Sequence, residues 1–271
     1  LKIIPIDDLH DSRLTDFTNL TDVELRKQRE PRDGLYIAES TKVIQRALLA
    51  GHQPRSVLLT PQWLKSLEAD LHEYRDVNVF VGSENQLEAL TGFHLHRGAL
   101  ASMLRPKLPS PEQLLATASR IVVLEGLTDH TNVGAVFRSV AALGADAVLV
   151  TESCADPLYR RSVRVSMGAV LQIPWTRIQD LETTAELLHH HGFSIICFAL
   201  EDASTDLRAY AEQTRKADIK QALVFGSEGP GLTRSALNAA DAIVRIPMHH
   251  GVDSLNVATA AGIVLWTLGK H

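Results

Sequence analysis

Apolar and polar positions along this chain repeat with two different periods, and the switches between them mark out its elements. Residues 37–50 carry a helical stripe through Val43, Ile44, Ala47 and Leu48, which stops at Gly51. Short runs at 56–60 and 77–81 read as strands, and a further apolar run spans 98–104; Pro61 opens a helix after the first, and Ser83 caps one reaching Leu90 after the second. Beyond residue 120, strand-like runs at 121–125, 147–150, 193–200, 221–225 and 242–246 alternate with helical segments at 133–143, 160–168, 181–191 and 233–239. Such alternation predicts an α/β fold with a mostly parallel sheet covered on both faces. Ligands of such sheets bind beyond the carboxyl ends of the strands.

The final stretch, 246–266, reads IPMHHGVDSLNVATAAGIVLW. It joins a strand end to a polar loop and then to a helix that is apolar on nearly every side, so the helix is predicted to be buried. Ser254 and Asn256 stand at its mouth, where the first backbone N–H groups lack intrahelical partners. Ser254 taken alone reads better as a simple cap. Asn256, placed two positions inside the predicted helix against propensity, points to a site.

Composition narrows the picture. The 271 residues suffice for two modest domains. Three prolines within 105–111 divide them, which predicts a first domain at 1–105, a linker at 106–118 and a second domain at 119–271. A formal net charge of −5 excludes a bulk polyanion-binding surface but not a local patch. Two cysteines, Cys154 and Cys197, are too few for a disulfide framework, and no secretory-type N-terminal segment is evident. The expectation is a cytoplasmic protein with no metal site, the His189–His191 run being an exposed helix end.

Three segments carry the candidate chemistry, each placed just after a strand. In EGLTDHTNVGAVFR, Asn132 is predicted as an N-cap and Arg138 lies on the helix it opens. In FGSEGPGL, three glycines surround Glu228; the loop has neither a P-loop ending nor dinucleotide-binding spacing, and its carboxylate suits a cationic or hydroxyl-bearing ligand. The third is the Ser254/Asn256 mouth. Taken singly, each has a plain structural reading: a solvated arginine, a glycine turn, a helix cap.

Together and in this order, NVGAVFRSVAALGA, LVFGSEGPGL and IPMHHGVDSLNVATAAG resemble the three signature motifs of the SpoU/TrmH family, RNA ribose 2′-O-methyltransferases of the SPOUT superfamily. The resemblance covers about residues 120–271, and the segment ELRKQREPRDGLYIAESTKVIQRAL resembles the small ribosomal-protein-like α/β domain with which many members hold RNA. It implies a deep trefoil knot in the C-terminal domain, against the general rule that chains do not thread loops. The small residues Ala258, Ala260, Ala261 and Gly262 are compatible with such a crossing. It also implies S-adenosyl-L-methionine held by Leu200, Gly226, Ile246, Met248 and Leu255, and a homodimer in which the arginine of one protomer reaches toward its partner's cofactor. Arg138 would contact the ribose hydroxyl or an adjacent phosphate, with Asn132, Glu228, Ser254 and Asn256 orienting the reactants.

Two positions depart from the family pattern: His130 where Pro is usual, and His250, with the loop's glycine shifted to Gly251. RNA contacts are expected from Arg26, Lys27, Arg29 and Arg32, and from Arg160, Arg161 and Arg164. Scarce aromatics favour recognition of folded RNA by shape and phosphate. Ribosomal RNA is the expected substrate. The alternatives are transfer RNA, an RNA-binding module without methyl transfer, and, more distantly, a doubly wound nucleotide-binding enzyme.

Overall fold

A computed structural model describes residues 1–95, 98–215 and 219–269. The chain divides into two compact units, Leu1–Lys107 with Leu158–Gln172, and Leu108–Pro157 with Ile173–His271. The first part of the chain forms β1 (Lys2–Pro5), α1 (Val23–Arg32), β2 (Leu35–Glu39), α2 (Thr41–Leu49) and β3 (Pro54–Leu59). It continues through α3 (Pro61–Leu71), β4 (Asn78–Val81), α4 (Glu84–Thr91) and β5 (Ala99–Leu104). After it come α5 (Pro111–Thr117), β6 (Arg120–Leu124), α6 (His130–Leu143), β7 (Ala147–Thr151) and α7 (Arg160–Val165). Then follow β8 (Trp175–Ile178), α8 (Leu181–His190), β9 (Phe193–Phe198), β10 (Thr205–Asp206) and α9 (Leu207–Thr214). The chain ends with β11 (Lys220–Phe225), α10 (Arg234–Asn238), β12 (Ala242–Arg245) and α11 (Val257–Thr267).

The first unit holds a five-stranded sheet in the order β1-β4-β3-β5-β2. Its β1, β4 and β3 run parallel, and β5 is antiparallel to both β3 and β2. Ile37, Leu58, Phe80 and Leu100 of the sheet pack with Leu14, Phe17, Leu87 and Leu90 in one core. Residues 37–39, predicted as the start of a helix, belong instead to β2. The helix starts only after Ser40, whose hydroxyl accepts the N–H of Val43 (3.4 Å).

The second unit is a seven-stranded sheet in the order β10-β12-β9-β11-β6-β7-β8, and every pairing is parallel. Alternate residues Ile121, Val123, Leu149, Ile195, Cys197, Ala222 and Val224 face a core shared with Leu115, Leu181, Leu188 and Ala236 of α5, α8 and α10. The intervening Val122, Leu124, Val148, Val150 and Leu223 are buried as well. Burial on both faces is why these strands read as unbroken apolar runs rather than as alternating ones. The chain lays down β6, β7 and β8 toward one edge, then crosses over to β9, with β11 entering between β9 and β6. That reversal opens a crevice at the carboxyl ends of the central strands.

Two domain boundaries and the burial of the last helix differ from the sequence reading. The segment Leu158–Gln172 was placed inside the second domain but packs with the first unit. The proposed linker at 106–118 shrinks, because α5 begins at Pro111 behind a Ser110/Gln113 capping box and Leu115 is buried in the second core. Helix α11 is covered on one side: Val257, Ala261, Val264 and Leu265 are buried, whereas Thr259 is exposed and Trp266 is 61 % exposed. Among the described residues, no helix is long and apolar enough to cross a membrane.

Candidate active site

A cleft of about 380 Å³ lies at the carboxyl ends of β9, β11 and β12. Its apolar floor starts from Phe198 and Phe225, the last residues of two paired strands, whose rings stack with centroids 4.9 Å apart. Leu200, Gly226, Ile246, Met248 and Leu255 all line it, as do Glu228 and Ser254. Leu200 follows β9, Gly226 follows β11, and Ile246, Met248 and Leu255 come from the loop between β12 and α11, so one end of the sheet gathers all five.

The glycine loop is shaped by close backbone approach. Gly231 N–H donates to Ser227 O (3.2 Å), and Gly229 and Gly231 adopt φ of +95° and +72°. A Cβ on Gly226 would lie 2.5 Å from Gly231 C and from Leu232 N. Both are backbone atoms, so only glycine lets the loop fold back on itself there. The return of the loop is tied down by Glu125, a buried carboxylate at the end of β6 that accepts the backbone N–H and the hydroxyl of Thr233, each at 2.9 Å. The sequence motif assigns Glu125 no role, and its one signal there is a carboxylate directly following an apolar strand.

Asn256 is the centre of the polar arrangement. It is the N-cap of α11, its Oδ1 accepting Ala258 N–H (3.0 Å), and not a residue inside the helix. Its Nδ2 donates both to Asn132 Oδ1 (2.9 Å) and to Glu228 Oε1 (2.8 Å). One amide thus joins three segments separated by as many as 124 residues. Asn132 is not the cap of α6, as the sequence reading had it. That role falls to Asp129, whose carboxylate accepts the N–H groups of Thr131 and Asn132, leaving the Asn132 side chain available for Asn256. Ser254 lies in the cleft wall, two residues before the cap rather than on the helix.

Arg138 stands apart from this group. It is exposed on α6, does not line the cleft, and forms no hydrogen bond or ion pair among the described residues. His249 and His250 are exposed and do not line the cleft either. His250 sits at φ +57°, followed by Gly251 at +71°, so this chain asks a histidine to take a left-handed position that glycine occupies at less cost. Both cysteines are buried. Burial, with the carboxylates of Glu125 and Asp241, pushes the Cys197 thiol up to about 12. Among the described residues, no group of three His, Cys, Asp or Glu could hold a metal ion.

In the first unit the expected RNA-contacting cations differ in availability. Arg26 is only 3 % exposed and pairs with the equally buried Glu30 (2.8 Å), so it is corrected to a structural residue. Lys27 pairs with Glu24 (3.1 Å), and Arg29 and Arg32 both reach Asp33 (3.3 and 2.9 Å). Arg164 is exposed.

A parallel α/β domain with a ligand-sized cleft at its switch point, walled by a glycine loop and clamped by an asparagine, belongs to the class of small-ligand-binding α/β domains. The particular family follows from comparison: the chain belongs to the SpoU rRNA Methylase family, whose sequence pattern matches residues 119–266. It is 39 % identical over 266 residues to an uncharacterized tRNA/rRNA methyltransferase of Mycobacterium tuberculosis, covering 98 % of this chain and 91 % of that one. Its fold is similar to that of an AdoMet-bound rRNA methyltransferase from Sinorhizobium meliloti (TM-score 0.83, 22 % identity, 98 % and 97 % of the two chains). It is also similar to an RNA 2′-O ribose methyltransferase (TM-score 0.71, 26 % identity, 98 % and 97 % covered).

Proposed function

We propose that this chain transfers a methyl group from S-adenosylmethionine to a ribose 2′-hydroxyl of RNA, with ribosomal RNA as substrate ahead of transfer RNA. The observation that carries the reading is the meeting of Leu200, Gly226, Ile246, Met248 and Leu255 in one cleft, beside the Asn132–Asn256–Glu228 clamp. The residues present fit the cofactor: the cleft of about 380 Å³ has the size of a small-molecule site, Gly226 lets the loop that walls it fold back on itself, and a carboxylate in the wall favours a cation.

When bound, S-adenosylmethionine supplies an electrophilic methyl on a sulfonium centre. The chain's part is to bring a ribose hydroxyl into line with that methyl and keep it there. Asn256 fixes Glu228 and Asn132 to each other and to the first turn of α11. Ser254 presents a hydroxyl from the cleft wall. Arg138 holds the ribose hydroxyl or its neighbouring phosphate as a permanent cation, since a guanidinium does not give up its proton in this pH range.

A homodimer accounts for two features of the single chain. Arg138 has no partner among the described residues and lies off its own cleft, which supports its service at the cleft of a second protomer. Trp266, 61 % exposed on the helix that packs on α6, supports an interface there. The trefoil knot belongs to the same proposal, supported by the all-parallel strand order and the small residues of α11, as does a cytoplasmic location. Roles in RNA binding for Lys27, Arg29, Arg32 and Arg164 complete it.

Calorimetry with S-adenosylmethionine, followed by transfer of labelled methyl to total RNA, tests the reading. Arg138→Ala should bind the cofactor with unchanged affinity and lose transfer. Absence of cofactor binding by the wild type would remove the proposal, and binding with no transfer to any RNA would favour an RNA-binding module that retains the fold.

A further inference from the structure

The sequence places Arg160, Arg161 and Arg164 within one turn and a half of helix, far from the basic residues of α1. The fold brings them into the first unit, where they border a small cleft of about 180 Å³ lined by Leu20, Thr21, Val23, Tyr159 and the three arginines. The arginines are not equivalent. Arg160 is held from two sides: its Nη1 donates to Glu39 Oε2 (2.9 Å), and its guanidinium lies 4.4 Å from the centroid of the Phe93 ring. Arg164 touches the other Glu39 oxygen at 3.5 Å while remaining 55 % exposed. Arg161 is exposed and makes no hydrogen bond or ion pair among the described residues.

The local charge balance is therefore opposite to that of the whole chain. Three arginines line the cleft, and two of them share the one carboxylate that pairs with them among the described residues, Glu39, in a protein of net charge −5. The cations of α1 are matched within their own helix or by Asp33 beside it, so they add little free charge. Arg160 is pre-set by packing, which lowers the entropy lost when the cluster engages an anion. Thr21 and Tyr159, both hydroxyl-bearing residues, line the same space, and hydroxyls beside arginines are groups that bind phosphate and sugar of a nucleic-acid backbone.

We infer that this cleft is a backbone-phosphate contact for RNA, with Arg161 and Arg164 as the contacting residues and Arg160 and Glu39 as the frame that positions them. The inference rests on the RNA methyltransferase reading and adds a place for the substrate strand distant in sequence from the methyl-transfer motifs. Such a contact orients RNA without reading its sequence, so its loss lowers affinity for all RNAs alike.

The test is fluorescence anisotropy with a labelled RNA stem–loop over a salt series, run beside calorimetry with S-adenosylmethionine. Arg161→Ala/Arg164→Ala should raise the RNA Kd by roughly tenfold or more and flatten the dependence of log Kd on log salt by about two. Arg161→Glu, at an exposed residue with no partner to lose among the described residues, serves if the double variant is unstable, and it should weaken binding at least as much as alanine does at that position. Lys65→Glu on α3, an equal change of net charge outside the cleft, should have little effect, and cofactor affinity should hold in every variant. An unchanged Kd and salt slope in the arginine variants would overturn the inference, as would an equal loss in Lys65→Glu. Failure of the wild type to bind the cofactor would instead count against the parent reading.

Discussion

Replacing Asn256 separates two roles that the structure gives to one side chain. Its Oδ1 caps α11, and its Nδ2 bridges Asn132 and Glu228. Alanine removes both functions. Loss of the cap costs about 1 kcal/mol. The two bridging bonds lie at an exposed rim, so they take the low end of the usual range and add about 1 kcal/mol together. The sum of about 2 kcal/mol corresponds to a fall in Tm of roughly 4–8 °C for a protein of this size. Serine keeps a capping oxygen but is too short to bridge, so Asn256→Ser should lose only about half as much stability. Activity should divide differently. If the bridge sets the geometry at the cleft, both variants should lose methyl transfer to a similar degree, about a hundredfold in kcat, because a displacement of an ångström is enough to do so. Thermal denaturation followed by circular dichroism, and transfer of labelled methyl to RNA, read the two effects separately. An Asn256→Ser enzyme with wild-type kcat would refute the reasoning, since it would show that Asn256 matters only as a cap.

Glycine positions in the second unit should differ sharply. Gly226→Ala drives a methyl into backbone at 2.5 Å and should weaken cofactor binding by roughly tenfold or more, measured by calorimetry. Gly262→Ala meets nothing closer than Ser139 Oγ at 3.9 Å and should be tolerated, or raise helix stability by up to about 1 kcal/mol in thermal denaturation. For Cys197, the folded thiol titrates near 12 against an ordinary value of 9.0, so its contribution to stability is intact below pH 9.0 and is lost as pH rises toward 12. Peptide mapping after iodoacetamide treatment at pH 8 should find Cys197 unlabelled in the native protein and labelled after denaturation.

The parallel sheet was legible because β6, β7 and β11 are buried on both faces and so appear as plain apolar runs, with β6 and β11 each followed by the polar or glycine-rich residues of the site. The three loops could be identified in sequence, but their bonding could not. Asp129 and Asn132 are both good caps three residues apart, and only the fold shows that Asp129 takes the N–H groups while Asn132 turns to Asn256. Helix α1 escaped notice because its buried positions are Arg26 and Glu30, an ion pair standing where apolar residues would have marked a stripe. Strand β2 was absorbed into the helical pattern that follows it, since LYIAE runs directly into the stripe of α2. The residence of Leu158–Gln172 in the first unit depends on contacts distant in sequence, to which local periodicity is blind.

The most direct test of the central claim is the chemical position of the transferred methyl. RNA should be incubated with the protein and S-adenosylmethionine carrying a labelled methyl, then hydrolysed with alkali and separated. Label in alkali-resistant dinucleotides, lost with Arg138→Ala, is the expected result, because a methylated 2′-oxygen cannot attack the adjacent phosphate. Label recovered in mononucleotides, and therefore on a base, would contradict it.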